Sequence, residues 1–479
     1  MLGEVFFWQQ HRTKGPLYME NRRLLERIET EGRAFLEETG KASESAYLVL
    51  LTLYVSVYYI LKIAWVPDIE KVVEMVRFGI LGIVVWGSAA YLFFVIAGWK
   101  ELWKKNIPLI FSGGFLVAAT ALFSAKMSTN LYGVVMDCFF CIMAFRKDFR
   151  KMLKCMLGTG LIMLFIAGAG VAAGFTMDLQ KPLNVSPGHS LGINYPNTWG
   201  YLVFLVMLIA WYLFLRGKKL VTFLLFWSVS IFMYYYISCR TITGFSIVFP
   251  VCAVIVDYLE KRVTERAKKS GGLSFIGKIV IILPFIAFAA MMFISMQVEW
   301  VHKHFYYTPL HNFAMRFVQG GLYFRSYGLP LVGNAYRANQ ITYINVNNEF
   351  QKVGILDSSF AAYVIMRGMI WMICILLWLC FVNWKALKRN DYGIPLVGAF
   401  ILLFAMMERP GLEMWYNFVM LYPLAKAARK TGSVQPAAQE EGPDQKESEN
   451  GPENGHENGS ENGSENGPGN EVPGPEVIE

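Results

Sequence analysis

The feature that most constrains this chain is a series of apolar segments, most of them close to the roughly 20 residues that an α-helix needs to cross a membrane. With 55% hydrophobic and only 17% charged residues, the chain is too apolar for an ordinary soluble domain. The segments predict an all-α integral membrane protein with about twelve transmembrane helices. The last two predicted spans are short and could together form one broken re-entrant unit. The predicted spans are residues 43–64, 76–97, 106–125, 128–145, 152–175, 198–215, 219–237, 241–259, 275–296, 357–384, 394–407 and 411–425.

Lysine and arginine predict the orientation of these spans, because cytoplasmic connections carry the excess of both residues. Residues 1–42 and every second connection after them are basic. The pattern predicts that both termini are cytoplasmic and that residues 297–356, the longest connection, form one large extracellular loop. Residues 1–42 lack the apolar core and cleavage site of a secretory signal peptide. They are predicted to form a basic cytoplasmic leader with a helix on the membrane surface.

Composition separates a membrane domain, residues 43–425, from an acidic tail, residues 426–479. The tail repeats Glu-Asn-Gly and is predicted to be a disordered cytoplasmic segment, because such sequence cannot bury a core. The net charge of +8 suits a lipid bilayer with anionic headgroups better than nucleic acid, since the basic residues lie in separate loops. The 7 cysteines lie in or beside apolar segments and are predicted to be small buried hydrophobes. No metal or other cofactor is predicted.

Polar residues at the outer ends of spans mark candidate sites, because ionisable groups are costly to place in a membrane. The first candidate is the connection 177–198, in which proline and glycine break regular structure. His189, Tyr195 and Asn197 supply hydrogen-bonding groups there. The alternative is an ordinary turn with Asn197 or Thr198 as the helix N-cap.

Two further candidates are arginine-containing segments. Arg240 lies in a very short outer turn, and its planar guanidinium matches phosphate oxygens. The alternative is that Arg240 snorkels to lipid headgroups. The long loop carries His311, Arg316 and Arg325, and its apolar spacing predicts a short amphipathic helix around residues 309–326. The alternative is that these loop arginines are simply solvated.

The fourth candidate opens the span that follows the loop. Asp357 could act as a general base or orient an acceptor hydroxyl, whereas Ser358 is predicted to cap the helix N-terminus. Glu408 and Arg409 mark an outer turn between the two short last spans, where the adjacent charges could neutralise each other. Asp137 lies within a span and is predicted to face a neighbouring helix.

Four segments in order along the chain carry a resemblance to a known family. They are SLGINYPNTWG at residues 190–200, SCRT at 238–241, Arg316 with the downstream PLVGN at 330–334, and Asp357-Ser358 followed after nine residues by Gly368. Together they resemble the O-antigen ligase and polymerase superfamily, in particular the capsular or exopolysaccharide repeat-unit polymerases of Gram-positive bacteria. His189 stands where that family usually has Arg, and Cys239 stands where Ser is common. Aspartate rather than histidine at position 357 favours the polymerase branch.

The resemblance implies a GT-C-like helical bundle and a metal-independent membrane glycosyltransferase. Its donor would be a glycan on undecaprenyl pyrophosphate at the outer leaflet of a bacterial plasma membrane, and its acceptor would be a hydroxyl of another lipid-linked repeat unit. Other polysaccharide-assembly membrane proteins are implied partners. The implied catalytic residues are Arg240, Arg316 and Asp357. The implied substrate-binding residues are His189, Tyr195, Asn197, His311, Arg325 and Ser358.

Three other functions compete with a polymerase. A ligase would transfer a finished glycan to a different acceptor. A transporter or lipid-linked oligosaccharide flippase should show inverted repeats and charges at the membrane midplane. No internal repeat is evident in the membrane domain, although Arg77, Asp137 and Arg367 lie within apolar segments. A membrane scaffold would leave the outer arginines unexplained.

Overall fold

The structure, a computed structural model, describes residues 43–98, 131–179, 188–270, 275–305, 307–308, 311–333, 342–344, 350–352 and 356–426. For residues 92–98, 131–134, 261–270, 311–313, 342–344 and 350–352 it describes the backbone alone. The predicted surface helix within residues 1–42, the third predicted span and the tail beyond Lys426 lie outside the described residues. All of the described residues belong to one unit, Met1–Ala428.

The described part of the chain is almost entirely helical. The helices are α1 Ser43–Ile60, α2 Pro67–Gly98, α3 Leu131–Met143, α4 Phe149–Ala173, α5 Pro196–Ala210, α6 Lys219–Phe232, α7 Arg240–Ser270, α8 Phe275–Met296, α9 Val298–Phe305, α10 His311–Tyr327, α11 Ser359–Arg367, α12 Met369–Lys388 and α13 Gly393–Met407. A π-helical turn extends α5 to Leu215, and another extends α6 to Ile237. Two short antiparallel strands, β1 Thr342–Ile344 and β2 Phe350–Lys352, lie in the long loop.

Within the described residues, 8 helices are long and apolar enough to cross a membrane, which confirms a helical multi-pass membrane protein. Each of the 8 corresponds to one predicted span. Two other predicted spans form shorter helices, since α3 has 13 residues and α13 has 15. The last predicted span, residues 411–425, is not an α-helix and contains only 3₁₀ turns. The orientation of the helices and the outer position of residues 297–356 stay predictions.

The predicted span 357–384 is broken into α11 and α12 at Gly368, whose φ is +91°. The long loop docks at this break, where the Met369 N–H donates to the Pro330 carbonyl at 2.9 Å. A Cβ on Gly368 or on Gly333 would overlap backbone carbonyls of the opposite segment. The apolar sequence alone predicted one continuous helix, and the break arises from this tertiary contact.

Helix α10 is held against the bundle by small residues. A Cβ on Gly321 would overlap the Ser295 carbonyl of α8, so the two helices approach closely there. On its other side, α10 packs against α9 through a small apolar cluster of Val298, Val301, Ala314 and Val318. The predicted amphipathic helix around residues 309–326 is therefore confirmed, with its apolar face buried.

The last described segment, residues 408–426, crosses the interior without forming an α-helix. Almost all of its side chains are buried, and it ends at Lys426, which forms a bridge with Asp148 beside α4. Side chains of α12 and of the segment itself donate to some of its carbonyls. Trp378 Nε1 donates to the Met420 carbonyl at 3.0 Å, and Asn417 Nδ2 donates to the Gly411 carbonyl at 3.1 Å. Irregular backbone persists at membrane depth only where protein covers it and supplies such partners.

Candidate functional site

The candidate site forms around Arg316, which α10 carries on its buried side. The Arg316 side chain is only 12% exposed. Its Nη1 donates to the Glu408 carboxylate and to the Met407 carbonyl, both at the end of α13. The other guanidinium nitrogens, Nε and Nη2, form no hydrogen bond with a described residue. One edge of this guanidinium is therefore held by protein, while the opposite edge has donors available for a ligand.

A serine of α11 fixes the turn that carries Glu408. The Ser359 hydroxyl lies 2.5 Å from the Glu408 carbonyl and 2.6 Å from the Arg409 carbonyl, and it accepts from the Gly411 N–H at 3.0 Å. The hydroxyl has one proton, so it donates to one of the two carbonyls at a time. The sequence suggested that Glu408 and Arg409 neutralise each other. Instead, Glu408 forms its ion pair with Arg316.

Asp357 lies beside the same arginines. Burial raises the pKa of its carboxyl, although Arg316 and then Arg409 oppose the shift. Burial also raises the pKa of Glu408, which the ion pair with Arg316 offsets only in part. Two carboxylates next to Arg316 are thus better proton acceptors than exposed ones. The adjacent Ser358 caps α11 by accepting from the Ala361 N–H at 3.5 Å, which confirms its predicted capping role.

Arg240 is the exposed first residue of α7, and it forms no hydrogen bond or ion pair with another described residue. Its neighbour Cys239 is buried and lies within electrostatic range of Glu408 and Arg316. The backbone at Arg240 therefore lies close to the Arg316 cluster, while the Arg240 side chain extends from the protein surface. An arginine in this position is accessible to a ligand or to lipid headgroups, the two alternatives that the sequence left open.

His189 forms a dyad with Asp178, a residue that the sequence did not single out. His189 Nδ1 lies 2.6 Å from Asp178 Oδ2, and the imidazole stacks on Tyr236 with ring centroids 4.4 Å apart. Asp178 Oδ1 accepts from the N–H groups of Ser190 and Leu191 at 2.8 and 2.9 Å. Burial alone would raise the pKa of Asp178, but these hydrogen bonds keep it below its usual value. The only sequence signal was an acidic residue in the same proline- and glycine-rich connection.

Tyr195 and Asn197 lie at the exposed N-terminus of α5. Tyr195 is the N-cap and makes no capping hydrogen bond through its side chain, and Pro196 is the first helical residue. The prediction that Asn197 or Thr198 caps this helix was therefore wrong. Proline suits the first helical position because it has no N–H to satisfy. Tyr195 also lines a groove of about 400 Å³ together with residues that include Trp65, Glu70, Glu74 and Asn194.

Arg325 lies apart from the Arg316 cluster, although both residues belong to α10. Its Nη1 and Nη2 donate to the two carboxylate oxygens of Glu299, at 2.6 and 3.1 Å, on the exposed side of α9 and α10. A bidentate pair of this kind joins the two helices. The side chain of His311 is outside the described part of the structure.

The four segments that carry the family resemblance meet in space. Gly200 packs directly on Cys239, because a Cβ there would overlap the sulfur. Cys239 lies within electrostatic range of Arg316. Gly333 packs on the backbone at the α11–α12 break, beside Gly368. The first two segments thus contact each other through Gly200 and Cys239, and the last two through Gly333 and Gly368.

A second polar cluster lies deeper in the bundle. Tyr54 of α1 donates to Asp137 Oδ1 at 2.7 Å, which confirms that Asp137 faces a neighbouring helix. Glu413 and Arg367 lie within electrostatic range of Asp137. Ionisable groups in such a position are costly, so they indicate either a structural network or a function.

The Arg316 cluster combines two chemical abilities. Arg316 and Arg409 provide fixed positive charge, and Arg240 provides a third cation at the nearby surface. Asp357 and Glu408 can accept a proton. Within the described residues, no group of three or more His, Cys, Asp or Glu side chains could hold a metal ion. Comparisons with protein-family models, curated proteins and solved structures give no match.

Proposed function

We propose that this chain is a metal-independent membrane glycosyltransferase that polymerises undecaprenyl-pyrophosphate-linked repeat units into a cell-surface polysaccharide at the outer leaflet of a bacterial plasma membrane. The observation that carries the proposal is the partly buried cluster of Arg316, Glu408 and Asp357, which come from three separate elements. Its support from the sequence is the order of the four family-like segments along the chain. In the structure, Gly200 of the first segment packs on Cys239 of the second, and Gly333 of the third packs beside Gly368 of the fourth.

The cluster fits the chemistry of glycosyl transfer from a lipid pyrophosphate. The leaving group carries developing negative charge, and preorganised cations in a site that excludes water stabilise such charge strongly. Arg316 and Arg240 take this role, because guanidinium donors match phosphate oxygens. Asp357 orients the acceptor hydroxyl or removes its proton. The apolar helices around the site accept the polyprenyl chain.

Other predicted site residues have different roles in this proposal. His189, Tyr195 and Asn197 lie at the same end of α5 and line the approach to the cluster. Ser358 is engaged as a helix cap, and Arg325 is engaged with Glu299. Neither is therefore assigned as a substrate ligand.

A second candidate function is transport of a lipid-linked oligosaccharide. The observation in its favour is the deeper cluster, in which Asp137, Glu413 and Arg367 lie close together in the bundle. Transporters place ionisable groups at such depths to bind substrates or coupling ions. The Arg316 cluster, in which Nε and Nη2 have no partner among the described residues, is better explained by an enzyme.

The test uses purified wild type, Arg240→Ala and Arg316→Ala with an undecaprenyl-pyrophosphate repeat unit and EDTA. Wild type should extend the glycan, and each variant should lose about 10²- to 10³-fold in rate, because each lacks one cation at the leaving group. Arg325→Ala is the matched control on α10 and should retain wild-type activity. A folded wild type that moves the lipid-linked substrate across vesicles without extending it would contradict the enzyme and favour transport.

A further inference from the structure

We propose that Glu408 is the catalytic base, and that Arg316 couples this base to the leaving group by contacting both at once. The inference rests on the proposed glycosyl transfer and adds the acceptor side of the site. In this arrangement Arg316 Nη1 holds Glu408, while Nε and Nη2 hold the donor pyrophosphate. The acceptor is a sugar hydroxyl that lies between Glu408 and the hydroxyl of Tyr416.

The first support is the division of the Arg316 guanidinium into two edges. All of its hydrogen bonds to described residues use Nη1. Two phosphate oxygens can therefore bind the Nε and Nη2 edge without displacing Glu408, in the side-on geometry that arginine offers to phosphate. Since the side chain is only 12% exposed, water screens the charges of donor and base only weakly.

The second support is an unsatisfied hydroxyl beside Glu408. Tyr416 is fully buried, and its hydroxyl has no hydrogen-bond partner among the described residues. Glu408 and Tyr201 lie within electrostatic range of it. A buried hydroxyl without a partner is energetically unfavourable, so a polar group of a ligand would be stabilised at this position. A sugar hydroxyl can both donate to Glu408 and accept from Tyr416.

Glu408 is a better base than Asp357 once the donor is bound. Asp357 lies near two cations, Arg316 and Arg409, whereas Arg316 is the cation that offsets the charge of Glu408. A pyrophosphate on Arg316 shares the positive charge of that residue. Donor binding therefore removes more of the positive charge that stabilises the Glu408 carboxylate than of the charge that stabilises Asp357. The proton affinity of Glu408 rises as a result. Asp357, still beside Arg409, orients the acceptor.

In the reaction step, the acceptor oxygen forms a bond to the anomeric carbon as its proton moves to the Glu408 carboxylate. The bond between the anomeric carbon and the phosphate oxygen breaks, and its electron pair leaves with the undecaprenyl pyrophosphate. The new charge on the phosphate lies against Arg316 Nε and Nη2. Glu408 afterwards releases the proton to water.

The pH dependence of turnover follows from the groups around Glu408. They are Arg316, Asp357, Cys239, Tyr201 and Tyr416. Because burial raises the pKa of Glu408, kcat/KM should fall with decreasing pH at values above the ordinary range of a glutamate. Glu408→Gln should remove this acid limb together with most of the rate.

The experiment compares Glu408→Gln with Glu299→Gln, the carboxylate that pairs with the other arginine of α10. Glu408→Gln should lower single-turnover extension by roughly 10²- to 10⁴-fold. It should bind undecaprenyl pyrophosphate alone at least as tightly as wild type, because a carboxylate no longer shares Arg316. Glu299→Gln should match wild type in both measurements. A merely structural salt bridge predicts weaker binding in Glu408→Gln instead.

Tyr416→Phe tests the acceptor position independently and keeps the inference falsifiable if Glu408→Gln does not fold. It removes only a hydroxyl without a hydrogen-bond partner in the described part of the structure, so the unfolding temperature should not fall, while KM for the acceptor repeat unit should rise about tenfold. Three results would each overturn the inference. They are full turnover in Glu408→Gln, an unchanged KM in Tyr416→Phe, and loss of the low-pH decline in kcat/KM in Asp357→Asn but not in Glu408→Gln. A wild type that neither binds undecaprenyl pyrophosphate nor extends the glycan would instead contradict the proposed function itself.

Discussion

Two arginines at different ends of the bundle differ in how many of their guanidinium nitrogens bond to the described residues. Arg216, at the end of α5, donates from Nη1 to Asp391 at 2.7 Å and from Nη2 to Glu260 at 2.5 Å. Arg316, on α10, bonds one carboxylate, that of Glu408, and its Nε and Nη2 form no hydrogen bond within the described part of the chain. Both side chains are largely buried, at 25% and 12% exposure.

The difference lies in what remains available after the protein contacts are made. Tyr212 donates to the second oxygen of Asp391 at 2.6 Å, so the Arg216 cluster satisfies its own acceptors and joins α5, α7 and the connection before α13. At Arg316, two guanidinium nitrogens have no hydrogen-bond partner among the described residues, and Asp357, which lies close, forms no hydrogen bond with these residues either. A cluster whose hydrogen-bonding groups are all used within the protein (a saturated cluster) holds helices together, whereas a cluster with unused groups can bind a ligand.

The largest expected effect is on folding at the saturated cluster. Arg216→Ala leaves Asp391 and Glu260, each only 14% exposed, without their cation, which should destabilise the protein by about 3–5 kcal/mol. Thermal unfolding in detergent, followed by tryptophan fluorescence, measures this. Arg316→Ala should cost less stability, because Glu408 and Asp357 have raised pKa values and can take up protons. Equal losses of unfolding free energy in the two variants would contradict the distinction between a structural arginine at position 216 and a ligand-binding arginine at position 316.

A smaller effect should follow from removing the second carboxylate at each arginine. Asp391→Asn weakens charge-assisted hydrogen bonds with Arg216 and Tyr212, at an expected cost of about 1.5–3 kcal/mol. Asp357→Asn should lower the free energy of unfolding by less, since Asp357 forms no hydrogen bond with any residue that the structure describes, and should raise KM for the acceptor. The two free energies of unfolding and the steady-state kinetics test this together. A larger stability loss in Asp357→Asn would mean that Asp357 is a structural residue.

The smallest effect is expected at the exposed pair on α10. Arg325→Ala removes a bidentate contact to Glu299, but water screens both groups and exposed pairs contribute little. Its unfolding temperature should stay at the wild-type value, and donor binding should be unchanged. A clear loss of donor affinity would show that the substrate site extends along the whole of α10. Of the three arginines compared, Arg216 alone would then have a purely structural role.

The fold was predictable where lipid alone determines the sequence. A helix that faces lipid needs a continuous apolar run, so α4, α6 and α8 were evident from residue types. The prediction failed where protein replaces lipid. Residues 411–425 are also rich in apolar side chains, but protein side chains such as those of Trp378 and Asn417 donate to some of their carbonyls, and the segment forms 3₁₀ turns instead of an α-helix. The break at Gly368 likewise arises from the docked loop, which no local pattern encodes.

The site was predictable to the extent that a resemblance could indicate which segments meet. It paired Arg316 with Asp357, and the structure places both in one cluster. Glu408 was noticed but assigned to the wrong partner, because Arg409 is its neighbour in sequence while Arg316 is its neighbour in space. Asp178 and Tyr416 carried no distinguishing pattern. Asp178 is distinguished by its hydrogen bonds to His189, Ser190 and Leu191, and Tyr416 by a hydroxyl without a partner among the described residues. Neither feature is visible in the sequence.

The irregular segment that begins at Glu408 also bears on how the protein is made. A stretch without an α-helix cannot enter the hydrocarbon alone, since each unsatisfied backbone group there costs several kcal/mol. Residues 408–426 must therefore pack after the spanning helices have been inserted and have assembled around them. Glu408 reaches Arg316 only at that point, so the ion pair between them forms only after the bundle has assembled. A nascent or misassembled chain lacks the complete cluster until residues 408–426 have packed.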